Sequence, residues 1–291
     1  MILKLFKYDF MNIGKKLIPF YIAALVIGVI NRFLLLTSNI SRMEREGNFL
    51  AMFGSPFLYA AYFLVIMGIF FMTVFIIISR YSSSIYGNEG YLTNTLPLNP
   101  SQIILAKLIN FLIWILISYF IIFVSLFILF PFDFFLRNVI YEPEFYEGLK
   151  KLTKLIFSSK YGFLFALQFI YNFFSHIQNI LMLFLSVAIA NLFKSYKVVA
   201  GVIAFFLIST VFSFIASIIS FSVMENVNLF EMYGEFNPIV YSSLKNANIM
   251  SIIYSIVSSI VLFFIIHYLH THNLNLEQLL RKLIFYRISK K

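Results

Sequence analysis

The chain consists of long apolar runs separated by short polar segments. Six of these runs are long enough for a membrane-spanning helix, which needs about 20 apolar residues. They cover residues 17–36, 56–79, 100–130, 163–193, 198–223 and 249–267. Apolar residues are continuous within each run, whereas a membrane-spanning β-strand would alternate apolar and polar positions. We therefore predict an all-α polytopic membrane protein with six transmembrane helices, forming a single domain over residues 1–291.

Two further segments, residues 2–16 and 274–288, place basic residues among apolar ones. Helices of this composition lie on the surface of an anionic membrane. The pattern predicts an N-terminal amphipathic helix before the first span, although a plain charged flank explains residues 2–16 equally well. A second amphipathic helix is predicted for the C-terminal tail.

Composition and charge support a membrane protein with a defined orientation. The chain is 61% hydrophobic and only 12% charged, unlike soluble domains, in which about 25% of residues are charged. With six spans, both termini lie on one side, and that side carries 13 of the 22 Lys and Arg residues. Basic loops face the cytoplasm. We predict an N-in, C-in protein whose net charge of +10 reflects membrane topology and not nucleic-acid binding.

The sequence offers no recognisable catalytic or metal site. Gly14-Lys15-Lys16 lacks the preceding glycine and the following hydroxyl residue of a phosphate-binding loop. The metalloprotease pattern H-E-x-x-H, the hydrolase elbow G-x-S-x-G and cysteine are all missing from the sequence. His267, His270 and His272 are close in sequence, but no carboxylate joins them before Glu277, so a metal site is the weaker interpretation. We predict that the chain is not an enzyme and has no catalytic or metal-binding residues.

The predicted spans contain few ionisable residues, which usually mark ion or proton pathways. His176 is the exception in span 4. It belongs to one polar arc of that helix, formed by Gln168, Asn172, Ser175, His176, Asn179 and Ser186. The arc indicates a translocation path or a subunit interface, or else ordinary hydrogen bonding between neighbouring helices. Serine stripes in spans 5 and 6 are predicted to be packing surfaces: Ser209, Ser213, Ser217, Ser220, Ser251, Ser255 and Ser258.

The connector between spans 2 and 3, residues 80–107, is the most informative polar segment. Asn88 is suited to cap a short helix, Glu89 favours its positive end, and Pro97 ends it. Asn99-Pro100 then begins span 3, with Gln102 at the position of a capping box. The pattern predicts a two-turn helix on the cytoplasmic side. Such a helix is suited to docking into a groove of a partner protein, although an ordinary structured loop explains the segment equally well.

The connector resembles that of the ABC-2-type permeases of bacterial ABC transporters, particularly those of low-GC Gram-positive organisms. The matching residues are Arg80-Tyr81, Tyr86-Gly87, Glu89-Gly90-Tyr91-Leu92-Thr93, Thr95-Leu96-Pro97 and Lys107. Ser82 stands where the family has a second aromatic residue, and Asn88 where an acidic residue is common. The match covers about a tenth of the chain.

The resemblance implies a multi-pass protein of the bacterial plasma membrane that pairs with a second permease copy or a homologue. A separate ABC ATPase subunit would hold ATP and Mg, so this chain itself would carry no cofactor. The contacts to the ATPase would be the coupling helix and a second cytoplasmic turn, namely Asn88, Glu89, Gly90, Tyr91, Leu92, Thr93, Leu96, Lys194 and Lys197.

The expected function is export of an amphipathic or hydrophobic substrate, such as a peptide, an antimicrobial compound, a drug or a lipid. Two alternatives stand beside this expectation. One is a secondary carrier driven by an ion gradient, which the scarcity of ionisable residues in the spans disfavours. The other is a membrane immunity or scaffold protein that transports nothing.

Overall fold

The computed structural model describes residues 2–37, 49–87, 89–90, 98–129, 147–148, 150, 153, 158–193, 195–224 and 238–288. Its long helices are α1 (Ile2–Thr37), α2 (Phe49–Ile85), α3 (Pro100–Leu129), α4 (Ser159–Ala190), α5 (Lys197–Met224) and α6 (Pro238–Ile288). Each contains an apolar stretch long enough to cross a membrane, and the described ranges contain no strand. The prediction of an all-α protein with six membrane-spanning helices is confirmed. The N-in, C-in orientation stays a prediction.

α1 and α6 include the predicted amphipathic segments as well as the spans predicted within them. α1 begins at Ile2 and includes residues 2–16, and its backbone stays helical through Pro19. Its 36 residues extend roughly 54 Å at 1.5 Å per residue, beyond the hydrocarbon core of about 30 Å. α6 likewise joins the predicted span 249–267 to the tail segment 274–288 in one helix. The structure therefore has no break between either amphipathic segment and its neighbouring span.

The beginning of α2 differs from the prediction. Ser55-Pro56 was expected to open the second span, but the helix begins at Phe49. The apolar residues Phe49 to Phe53 continue the helix upstream, and Pro56 lies inside it. A proline costs a helix one backbone hydrogen bond, and in α2 this loss does not end the helix. The end of α4 also differs from the prediction. This helix stops at Ala190, three residues before the predicted end of span 4.

Packing divides the chain into two compact units, and the boundaries fall inside α2 and α3. Unit 1 comprises Met1–Arg80 and Ile109–Thr153, and unit 2 comprises Tyr81–Leu108 and Lys154–Lys291. Each unit is described by itself below. The prediction of one permease domain stays a prediction.

In unit 1, polar side chains join the first three helices. Tyr21 and Ser118 share a hydrogen bond of 2.7 Å between their oxygens, and Tyr62 and Ser125 share one of 2.8 Å. Ser125 Oγ also donates to the carbonyl of Ala24. Thr73 Oγ1 of α2 lies 3.4 Å from Ser118 Oγ. Together these pairs show that α1 and α3 run in parallel and that α2 runs in the opposite direction. The first three helices thus alternate in direction, as successive crossings of a membrane require.

In unit 2, α4 packs against both α5 and α6. Tyr254 of α6 donates from its hydroxyl to the carbonyl of Phe212 in α5, with an O···O distance of 2.6 Å. Gly201 of α5 approaches α4 closely, since a Cβ placed there would lie 3.2 Å from Cβ of Ala190. Buried residues make up 56% of the apolar window of α4 but only 6% of that of α5. α4 is therefore the central helix of this unit.

The two serine stripes have different surroundings. In α6, Ser255 and Ser258 are buried, so the prediction of a packing stripe is confirmed there. In α5, Ser213, Ser217 and Ser220 are exposed. The packing prediction is wrong for these three within this chain. Their regular spacing gave no information on whether a neighbouring helix of the same chain covers them.

Candidate functional site at the connector

The connector begins at a buried ion pair in unit 1. The Arg80 guanidinium holds Asp9 Oδ1 at 2.7 Å from Nη2, and Nε donates to the same oxygen at 2.8 Å. Asp9 is 3% exposed. Removing one partner of a buried pair leaves an uncompensated charge, which typically costs about 3–5 kcal/mol. This pair therefore fixes the end of α2 against α1.

Asp9 was not among the residues selected from the sequence. Residues 2–16 contain no other acid, and their Lys residues suggested a basic surface segment. A single acid among four Lys residues and many apolar ones was the available signal. Its partner lies 71 positions away, so the contact itself was not visible in the local pattern.

Directly after Arg80, the aromatic ring of Tyr81 packs inside unit 2. It stacks on Phe184 of α4 with ring centroids 3.8 Å apart and an angle of 7° between the planes. Tyr86 meets the same tyrosine edge-on at 6.4 Å. Tyr81 and Phe184 are both 0% exposed. Burial raises the pKa of Tyr86, so its phenol stays protonated at neutral pH. The start of the connector is thus a close-packed aromatic cluster.

Two glycines shape the turn that follows α2. The amides of Tyr86 and Gly87 both donate to the carbonyl of Ser82, and Gly90 N donates to the carbonyl of Gly87 at 2.9 Å. A Cβ on Gly87 would lie 2.7 Å from the carbonyl oxygen of Ser83, and one on Gly90 would overlap that of Ile85. Backbone atoms cannot move aside as a flexible side chain does. Both positions therefore require glycine, and both are among the residues that carry the resemblance.

The predicted coupling helix lies mostly outside the described residues. Glu89 and Gly90 are helical, with Glu89 exposed and Gly90 buried. Asn88, Tyr91, Leu92, Thr93 and Leu96 fall in the undescribed part. The helix from 88 to 96 stays a prediction.

The far end of the connector has the capping arrangement expected from the sequence. Asn99 N donates to Oε1 of Gln102 at 3.2 Å, and Gln102 N donates to the carbonyl of Asn99 at 2.9 Å. α3 begins at Pro100. The predicted start of span 3 and the role of Gln102 in it are confirmed.

Lys107, the last residue of the motif, is only 1% exposed. It lies in unit 2, close enough to His270 for their charges to interact. His267 is likewise close enough to interact with His270. His270 is also 1% exposed, and Nδ1 of both histidines has no hydrogen-bond partner in the described part of the chain. His272 stacks on Tyr268 instead. Among the described residues, no group of three or more potential metal ligands forms.

The turn that the resemblance implies as a second contact to the ATPase joins α4 to α5. Lys197 begins α5, and its Nζ donates to Oδ1 of Asn191 at 3.2 Å, whereas Lys194 lies outside the described residues. Tyr196 adopts a φ of 57°, which is uncommon for a residue with a side chain, and is 82% exposed. Phe193 is exposed as well. Sequence reasoning selected the two Lys residues and missed these exposed aromatic rings.

The polar arc of α4 lies away from the connector. Gln168, Asn172 and Asn179 are exposed, and Ser175 and His176 are partly buried. From Ile180 to Ala188 every side chain is buried, including Phe184 beneath Tyr81. The buried amide of this helix is Gln178, which the sequence did not single out and which hydrogen-bonds Tyr254. Packing between helices of unit 2 therefore explains why α4 has an amide at Gln178. It does not explain the amides at the exposed positions Gln168, Asn172 and Asn179.

Comparison with protein-family models finds no match, and neither does comparison with curated proteins or with solved structures. The resemblance to ABC-2-type permeases therefore rests on the connector motif alone.

Proposed function

We propose that this chain is the transmembrane permease subunit of an ATP-driven ABC-2-type exporter in a bacterial plasma membrane. The observation that carries the proposal is the connector motif together with the way both of its ends are held. A segment that transmits movement must be attached rigidly to the helices that it moves. Otherwise the movement of the partner is absorbed in the attachment.

The attachment on the α2 side is strong. Arg80 is fixed by Asp9, and Tyr81 is fixed by its stack on Phe184. Close-packed aromatic rings in fixed orientations transmit displacement because protein interiors have low compressibility. The glycine turn at Gly87 and Gly90 then sets the direction in which the connector leaves the helix.

The attachment on the α3 side is built differently. Gln102 closes the first turn of α3 onto Asn99, and Lys107 is buried one and a half turns further along the helix. Between the two attachments lies the segment 88–96, which carries the motif residues Glu89, Tyr91 and Leu92. In the proposed mechanism an ABC ATPase subunit binds this segment and moves α2 and α3 through it.

The energy source in this proposal is a partner protein. The sequence has no phosphate-binding loop, so ATP and Mg would bind the ATPase subunit, and this chain would not be an enzyme. The proposed cargo is amphipathic or hydrophobic, such as a peptide, an antimicrobial compound, a drug or a lipid. Its support is the scarcity of charged residues in the spans and the 20% aromatic content of the chain.

Affinity purification from native membranes tests the proposal. The tagged chain is extracted in mild detergent, and the proteins that accompany it are identified by mass spectrometry. We expect an ATPase with a phosphate-binding loop to be recovered in a fixed ratio to the chain. Leu92→Asp should abolish this recovery, because a carboxylate does not bind in an apolar groove.

Two results would overturn the proposal. One is recovery of the intact chain without any such ATPase. The other is equal recovery of the ATPase with the Leu92→Asp variant and with the unmodified chain. Tyr196→Asp, in the second turn, serves as a matched variant, and a partial loss is expected there because this turn is the smaller of the two proposed contacts.

A further inference from the structure

Three basic side chains meet inside unit 2, near the start of α3 and toward the end of the apolar stretch of α6. Lys107 of α3 and His270 of α6 are each 1% exposed. Lys107 and His267 both lie close enough to His270 to interact with it electrostatically. These three residues are called the basic cluster. Proteins seldom bury such groups unless other groups offset the cost.

The two histidines of the basic cluster have buried nitrogens that lack hydrogen-bond partners. Nδ1 of His267 and Nδ1 of His270 are both buried, and neither has a partner among the residues that the structure describes. His272 differs, because its Nδ1 lies 3.0 Å from the carbonyl oxygen of Tyr268. Buried polar atoms in folded proteins are hydrogen-bonded in the great majority of cases. The two nitrogens are therefore positions at which a further group can bind.

The spacing of the cluster suits a single ligand. α6 is one unbroken helix from Pro238 to Ile288, so His267 and His270 lie one turn apart on the same side. Side chains three residues apart on a helix have Cβ atoms about 5–6 Å apart. Two imidazoles at this separation can reach different oxygens of one small group. Lys107 comes from α3, so a ligand held by all three residues would connect two helices.

The charge beside the histidines determines the sign of that ligand. A neutral imidazole nitrogen can bind a metal ion, but the ammonium of Lys107 repels cations. The described part of the chain also holds no group of three or more His, Cys, Asp and Glu residues that could bind a metal. Lys donates hydrogen bonds only, and an imidazole N–H donates as well. The cluster therefore favours a ligand that is negatively charged and accepts several hydrogen bonds.

The position of the cluster along its two helices points to a phosphate group. His270 lies three residues beyond the predicted span 249–267. Lys107 lies seven residues after the start of α3, roughly 10 Å along a helix of about 45 Å. That helix is longer than a hydrocarbon core of about 30 Å, so its first turns can extend into the headgroup region. Basic pockets between helices at this depth bind the phosphates of lipid headgroups.

We propose that the basic cluster binds a phosphate group, carried either by an anionic lipid or by a small soluble phosphate. Nδ1 of His267 and Nδ1 of His270 donate to its oxygens, and Lys107 supplies positive charge. The bound group gives both nitrogens a partner and connects α3 with α6. Lys107 is also the last residue of the connector motif, so the site lies at one end of the connector. The inference does not depend on the proposed coupling to an ATPase.

Binding to the purified full-length chain tests the site. The chain is freed of lipid in detergent and given either inorganic phosphate, at constant ionic strength against chloride, or phosphatidylglycerol, against phosphatidylcholine. Calorimetry measures phosphate binding, and native mass spectrometry measures retained lipid. We expect at least one probe to bind at a single site, more tightly than its reference.

Three variants locate the binding at the cluster. His270→Leu should weaken it about tenfold or more, the loss expected for one hydrogen bond to a charged group. His270→Asn keeps an amide N–H near the position of Nδ1 and should retain most of the affinity. His272→Leu is the matched control and should bind as the unmodified chain does, since Nδ1 of His272 already lies against Tyr268.

The stability of His270→Leu separates loss of binding from loss of fold. Replacing an unpartnered buried polar group by an apolar one of similar size is neutral or stabilising. Without either probe, the melting temperature of the variant should therefore equal or exceed that of the unmodified chain. A saturating probe should raise the melting temperature of the unmodified chain and leave that of the variant unchanged.

The two probes identify the source of the phosphate. Binding of phosphatidylglycerol alone assigns the site to a lipid, binding of inorganic phosphate alone to a soluble ligand, and binding of both to the phosphate group whatever carries it. The proposal would be overturned if neither probe bound better than its reference, or if His270→Leu bound as tightly as the unmodified chain. A marked loss of stability in His270→Leu without either probe would also overturn it, because the imidazole would then have a partner within the chain.

Discussion

The two halves of α4 differ in how completely the chain itself surrounds them. From Ile180 to Ala188 every side chain is buried, and Phe184 supports the aromatic ring from which the connector starts. In the other half, residues 162–179, amides and aromatic rings alternate on an exposed surface. Since one helix contains both, the difference arises from its neighbours and not from its backbone. The buried half belongs to the proposed transmission, whereas the exposed half carries the amides predicted to form a translocation path or an interface.

The largest effect should come from the centre of the buried half. Phe184→Ala removes one ring of the stack with Tyr81 and leaves a cavity that the close-packed surroundings cannot fill. We expect the free energy of unfolding to fall by about 3–5 kcal/mol. Thermal unfolding in detergent, monitored by tryptophan fluorescence, measures it. Phe173→Ala in the exposed half is the matched control, and an equal loss in the two variants would contradict the difference between the halves.

A smaller effect is expected where α5 meets the buried half. Gly201→Val would place a branched side chain against Ala190, where a Cβ alone already lies at 3.2 Å. Overpacking of this kind costs about 1–3 kcal/mol. The same thermal assay checks it, with Val202→Leu on the exposed side of α5 as the control. If Gly201→Val were as stable as the unmodified chain, α4 and α5 would not be in close contact.

The boundary between the halves can be located with two adjacent amides. Gln178 is buried and hydrogen-bonds Tyr254, whereas Asn179 is exposed. Gln178→Leu should destabilise the monomer by about 1 kcal/mol through the lost hydrogen bond. Asn179→Leu should leave the stability unchanged, because Asn179 is exposed. Chemical unfolding of the two variants measures the difference, and the reverse pattern would place the boundary elsewhere.

The six spans could be predicted from the sequence because their signal is local. Hydrocarbon accepts a helix only if nearly all of its residues are apolar, and that condition can be read one segment at a time. The ends of the helices were less predictable. Pro56 was expected to start α2, but the helix extends upstream through Phe49 to Phe53, and proline's local cost did not decide the outcome.

The candidate site was predictable only in its local parts. The hydrogen bond from Asn99 to Gln102 spans three residues and was expected from the capping pattern. Asp9 pairs with Arg80, and Tyr81 stacks on Phe184, across long separations that no local pattern encodes. The amides of α4 illustrate the same limit. Periodicity placed Asn172 and Asn179 on one face of the helix, but it did not show that the chain leaves that face exposed.

The measurement that tests the central claim most directly is the activity of the ATPase subunit, purified separately and added to lipid vesicles that contain this chain. The unmodified chain is compared with Leu92→Asp in the proposed coupling helix. Leu3→Asp is the control, because Leu3 is 82% exposed near the N-terminus and lies outside the connector. We predict that Leu92→Asp inserts and folds normally but reduces ATP hydrolysis to the level of the ATPase alone, whereas Leu3→Asp does not. Full activity in Leu92→Asp would show that the connector does not couple this chain to ATP hydrolysis.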